Sequence, residues 1–234
     1  MTVLSIAQKI ANSTGFESPS FLVGNPDPVA IQLLALIDDE TRCLSDEFNW
    51  QALKIRTTFN FVANQQNYPL PTDFKNIVPN TMWNFTFRRP IIVPINAEEF
   101  EIQMNYLITS GIDKMCYVYQ NQMWFTPVPG GTDTINYEYF TLNIYQNGSG
   151  TGKPAITADT DVITIREYLV QLGAKMRFLN AKGVDNTYET QDYERQKLKA
   201  MEIDGFNQKV INMNSGGYTY WKAAYTQDSN YPSS

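Results

Sequence analysis

Two acidic clusters are the residues whose type and spacing bear most directly on catalysis. Glu98-Glu99 with Glu101, and Asp159 with Asp161, are carboxylates of the kind glycoside hydrolysis uses in pairs, one as acid and one as base or nucleophile across a sugar. Both clusters also stand where helices are predicted to begin, and a helix start favours acids without any catalytic role. Gly148-Ser149-Gly150-Thr151-Gly152-Lys153 superficially resembles a phosphate loop. It is too short for the G-x-x-x-x-G-K-[ST] pattern and is followed by Pro154, so it reads as a flexible linker. Trp83, Phe85 and Phe87 stand next to Arg88 and Arg89, a combination that stacks on sugars or bases in other settings. The three aromatics alternate as in a strand, which makes core packing their default role. Arg88 and Arg89 are then left to meet an acidic partner.

Histidine is absent from the 234 residues. That excludes Ser-His-Asp and Cys-His catalysis, a histidine base and His-ligated zinc. Cys43 and Cys116 are the two cysteines, expected as unpaired buried thiols of a reducing compartment. No cofactor motif is present, and no cofactor or metal is expected. Net charge is −6 with no Lys/Arg-rich run, so the chain is poorly built to grip DNA phosphates. An acidic wall that DNA slides past is compatible with that balance. Charged residues are only 18% and aromatics 13%, a surface that suggests contact with other chains. Met1 to Ser5 carries no basic region followed by an apolar run, and no stretch is long enough to span a bilayer. No membrane role and synthesis in a cytoplasm are expected.

The elements that must position these residues follow from periodicity. Val3, Ile6, Ala7 and Ile10 predict a helix over 2–12 ended by Gly15. Asp27-Pro28 predicts an N-cap and first-turn proline. Ile31, Leu34, Ile37, Thr41, Leu44 and Phe48 predict one buried face, with Asp38, Asp39, Glu40 and Arg42 mostly on the other. From Arg56 to Tyr145 the chain carries 17 of its 31 aromatic residues in alternating, turn-punctuated runs. These include strands at 57–62, 76–83, 85–87 and 134–139, an extended Tyr68-Pro69-Leu70-Pro71 and a hairpin over 117–125. Asn96 with Glu99 suggests a capping box opening a short helix. Asp159 or Thr160 is expected to cap a helix whose seam is Val162, Ile165, Leu169, Leu172, Met176 and Leu179. The expected stop is Lys182-Gly183, and a last, largely solvated helix runs from 186 to about 212. The seam is expected to pack on the 27–49 helix. The fold class is therefore α+β. It is an α-helical bundle (1–55 and 155–213) interrupted by an antiparallel β-sandwich or small barrel (56–146), with a Gly-rich linker (147–154) and an extended C-terminal tail (214–234).

This layout resembles the head-to-tail adaptors of short-tailed bacteriophages, the tail tubular protein A family. The carriers are Phe48-Asn49-Trp50, Tyr68-Pro69-Leu70-Pro71 and Thr81-Met82-Trp83 leading to Arg88-Arg89-Pro90. They continue with Tyr137-Glu138-Tyr139 before a Gly-rich loop, Asp159-Thr160-Asp161, and the seam helix ending Arg177-Phe178. Each is short, and their order carries the likeness over nearly the whole chain. The resemblance implies a non-enzymatic virion protein, assembled in the host cytoplasm into a dodecameric ring between portal and tail nozzle. It implies contact with tail fibres, and double-stranded DNA passing the lumen without specific binding. It also implies a portal-facing tail, which assigns portal docking to Tyr218, Tyr220, Trp221 and Tyr225, and nozzle or fibre contact to Arg88 and Arg89. An aromatic tail also suits folding on a partner or docking back on its own domain. Two other readings stand beside it. One is a carbohydrate-binding or carboxylate-dependent glycan-active tail protein using Trp83, Trp124 or Glu99. The other is a cellular scaffold.

Overall fold

The computed structural model describes residues 1–93, 97, 98, 100, 101 and 114–205. Helix α1 (Val3–Thr14) starts where the Thr2 hydroxyl accepts the Ser5 N–H, and stops at Gly15, whose φ of +76° suits glycine. Helix α2 (Pro28–Glu47) begins with the Asp27 carboxylate accepting the Ala30 N–H and with proline at the first turn. Its buried face is Ala30, Leu33, Ile37, Glu40, Thr41 and Leu44. This corrects the predicted stripe: Ile31 is 53% exposed and Leu34 half-buried, while Glu40, expected on the solvent side, is fully buried. Trp50 then closes the helix end, its indole N–H donating to the Leu44 carbonyl at 2.7 Å.

The chain enters the β region through β1 (Lys54–Asn60). There follow β2 (Asn67–Pro69), β3 (Phe74–Ile77), β4 (Trp83–Asn84), β5 (Arg89–Pro90), β6 (Met115–Tyr119), β7 (Gln122–Thr126) and β8 (Thr134–Thr141). Among the described residues these strand ladders are antiparallel. One sheet runs β1-β8-β4-β5, with β3 also on β8, and another runs β2-β7-β6. An isolated parallel bridge joins them: Ile92 N–H donates to the Lys114 carbonyl and Cys116 N–H to the Ile92 carbonyl. The strands thus wrap around one aromatic core of Phe61, Tyr68, Phe125, Ile135, Tyr137 and Tyr139. The described strands close no barrel; the wrap is open between β1 and β2. The predicted 117–125 hairpin is present as β6 and β7, turning through Gln120 and Asn121 with both φ positive. The predicted 76–83 strand is broken in two, with Asn76 and Ile77 ending β3 and Trp83 opening β4, both on β8, and the predicted 85–87 strand is absent, since 85–88 is the turn into β5.

A small sheet follows, with β9 (Tyr145–Gln146) between β10 (Gly152–Lys153) and β11 (Val162–Ile163). The 147–152 stretch, expected as a flexible strip, is the closed turn between β9 and β10. Asn147 Oδ1 accepts the Ser149 and Thr151 N–H groups, and Gly150 takes φ +81°. Helix α3 (Glu167–Ala181) begins eight residues later than Asp159, so neither Asp159 nor Thr160 caps it, and Val162 and Ile165 precede it. Its buried residues are Leu169, Val170, Gly173, Ala174, Phe178 and Leu179, while Leu172 and Met176 are half-buried. The stop at Lys182-Gly183 is as expected, with Gly183 at φ +70°. Helix α4 (Thr187–Gly205) buries only Tyr193 and Ala200. The helices share a second core with Trp50, Leu53, Phe140, Tyr145 and Ile163, and α3 packs against α1, α2 and α4. The fold is α+β with antiparallel sheets.

Candidate interaction surfaces

The predicted acids have structural employment. Asp159 accepts backbone N–H groups of Leu22 (3.1 Å) and Val23 (2.8 Å), tying the segment between α1 and α2 to the stretch that leads into β11. Asp161, 1% exposed, receives Lys153 Nζ at 2.7 Å and the N–H groups of Thr157 and Ala158. Burial alone would raise its carboxyl. Lys153 and the two amides more than offset that and hold it below the usual carboxylate range. Glu98 and Glu101 are exposed helical residues, and Glu99 lies outside the described residues with Asn96, so the capping box does too. Trp83 and Trp124 are half-buried. Among the described residues no group of three or more Cys, Asp or Glu side chains is placed to hold a metal ion. No described helix is long and apolar enough to cross a membrane.

One buried polar cluster escaped the sequence reading. The Glu40 carboxylate on α2 receives Arg177 Nε from α3 at 2.6 Å and the Tyr193 hydroxyl from α4. Gly173 makes room for it, since a Cβ there would lie within 2.8 Å of Glu40 Cγ and closer still to the carboxylate. Burial and then the Glu40 carboxylate push the Tyr193 phenol up. Burial pulls the Arg177 guanidinium down, but Glu40 prevails and holds it up. The signal available in the sequence was spacing: Glu40 lies three residues after Ile37 and four before Leu44, on the buried stripe itself. Cys43, expected buried, is exposed; Cys116 is buried, and both thiols are free.

The exposed apolar surfaces lie elsewhere. The β4–β5 turn presents Phe85 and Phe87, each 48% exposed, with Arg88 exposed beside them at φ +54°. The expected core role of these aromatics is corrected: Phe87 N–H donates to Asn84 Oδ1, a local bond that closes the turn and turns both rings outward. Arg89 is half-buried in β5. A second surface is the opening between β1 and β2, a groove of about 370 Å³. Phe59, Val62, Tyr68, Leu70, Met123 and Tyr137 line it, and no carboxylate does. Tyr218, Tyr220, Trp221 and Tyr225 lie outside the described residues.

The described surface thus presents exposed apolar and aromatic faces, while Asp159 and Asp161 are committed to holding loops. No match is found among curated proteins. The model of the SU10 adaptor protein family matches residues 1–210, nearly all of the 234, and the chain belongs to that family of phage structural adaptors.

Proposed function

We propose that this chain is the subunit of a dodecameric ring that joins the portal to the tail nozzle and surrounds the DNA channel. The family match over residues 1–210 carries this reading. A ring needs head-to-tail contacts that close on themselves; the exposed Phe85, Phe87 and Arg88 turn is a protruding, partly apolar contact of the kind a nozzle or fibre partner buries. The −6 balance suits a lumen that must not retain DNA. In this reading the helices, contributed by 1–55 and 155–213, form the platform as a bundle. The 56–146 region is an inserted, incompletely closed β domain, 147–154 joins the two, and 214–234 docks on the portal through Tyr218, Tyr220, Trp221 and Tyr225. Arg88 and Arg89 meet the nozzle or fibres. The subunit works in the virion tail after assembly in the host cytoplasm. Mixing it with portal particles and weighing the product tests this: added mass of twelve 26.7 kDa chains is expected. A subunit that stays monomeric and absent from purified virions overturns the reading.

A further inference from the structure

We infer that in the free subunit, before the tail leaves to dock on the portal, the opening between β1 and β2 is the seat of the chain's own C-terminal tail, with residues 218–225 pairing as an extended strand along the free edge of β1 in the same subunit. The two edges of the opening are chemically unequal. Phe61 N–H donates to the Asp133 carbonyl, so in an antiparallel ladder the odd residues of β1 face β8 and the backbones of Arg56, Thr58 and Asn60 face the opening. No described strand pairs with that edge. On β2, Leu70 N–H donates to Asn121 and Gln66 accepts from Phe125. The opposite parity, Asn67, Pro69 and Pro71, therefore faces the opening. Two of these three lack an N–H, so β2 cannot zip onto β1. Prolines thus hold one edge open, and the other is a seven-residue strand rich in β-forming Ile, Thr and Phe. Such an edge is normally blunted or covered.

Where the tail starts identifies the occupant. Helix α4 ends with Asp204 accepting the Gln51 N–H at 2.7 Å and Gly205 close to the Phe48 ring. Its end is therefore beside the start of β1. Six residues of chain separate Gln51 from the first groove residue, Thr57, a span of roughly 20 Å. Residues 206–217 reach ~40 Å when extended, so the groove is within range. After Gly216-Gly217 comes Tyr218-Thr219-Tyr220-Trp221, residue types that favour strands, with Tyr218 and Tyr220 on one face to meet the apolar lining. A tether this short gives an effective concentration on the order of millimolar, above that of a second copy's tail in dilute solution.

The test uses the full chain, at a concentration where sedimentation shows a monomer. Amide exchange at Arg56, Thr58 and Asn60 is expected to be at least tenfold slower in the wild type than in a Tyr218→Ser/Tyr220→Ser/Trp221→Ser variant. Trypsin cleavage after Lys222 is expected to be slow in the wild type and at least tenfold faster in Thr58→Pro, which removes an edge N–H and leaves the β8-facing bonds. Thr58→Val, which keeps that N–H, is expected to retain protection. Equal exchange in wild type and tail variant overturns the proposal, even if Thr58→Pro misfolds. Protection that vanishes on dilution to monomer also overturns it, by assigning the seat to another copy. Everything is read on the isolated subunit, so either failure leaves the portal-docking reading standing on its own test.

Discussion

Glu40, Gly173, Arg177 and Tyr193 show how a charge is kept inside a helical core: the carboxylate is received by two donors and by an absent methyl group. Gly173→Ala forces Cβ onto the carboxylate and is expected to cost about 1–3 kcal/mol, as overpacking does. Glu40→Ala removes the acceptor; because Arg177 is 37% exposed and keeps water, the cost should be about 2–3 kcal/mol, below that of a wholly buried broken pair. Combined, the two changes should cost clearly less than their sum, since the new methyl fills the vacated space, and urea denaturation of the four proteins measures that coupling. Buried phenols set the alkaline limit. Burial and the Asp73 carboxylate push Tyr139 up to about 12, and burial pushes Tyr137, Tyr145 and Tyr193 up as well. Each folded-state value lies above the ordinary 10.0, so this stability is complete below pH 10 and is lost as pH rises through the folded values. The phenolate absorbance of these four buried tyrosines should therefore appear as a step together with loss of the circular-dichroism signal.

Among the elements, those with purely local determinants were legible in the sequence. The Asp27-Pro28 start of α2, the Lys182-Gly183 stop and the β6–β7 hairpin each depend on a few neighbouring residues, and each stands as predicted. The start of α3 was misread because Asp159-Thr160-Asp161 before a 3-4 spaced apolar run imitates an N-cap. Those acids instead bind amides at 22–23 and 157–158, and Val162–Ile163 pairs with β9. Glu40 was placed on the wrong face because its burial depends on Arg177, 137 positions away. Phe85 and Phe87 alternate like strand residues, yet the Asn84 side chain bends the backbone between them. For Asp159, the expectation is that Asp159→Ala releases the Leu22 and Val23 amides at a cost of about 1–2 kcal/mol, read as faster exchange there with α2 and α3 amides unchanged.

For the whole molecule, the family was legible from the order of weak signals and the exposure of Phe85 and Phe87 was not, because exposure is a property of the folded assembly of strands. Phe85→Ser with Phe87→Ser should leave the melting temperature of the isolated subunit nearly unchanged, within about 0.5 kcal/mol. It should weaken docking to the nozzle or fibre partner at least tenfold in a binding titration; unaltered docking would remove this turn from the interface. The pairing of β1 with β8 has a further consequence. Lys54 sits opposite Phe140, and their ladder runs without a break to Asn60 and Thr134. Phe140 belongs to the helical core, while Ile135, Tyr137 and Tyr139 belong to the β core. One continuous two-stranded strap therefore spans both halves of the subunit. A pull that separates the halves along that strap is carried by two covalent backbones side by side, with the cross-strand hydrogen bonds holding them in register. The subunit is built to transmit tension stiffly from one half to the other.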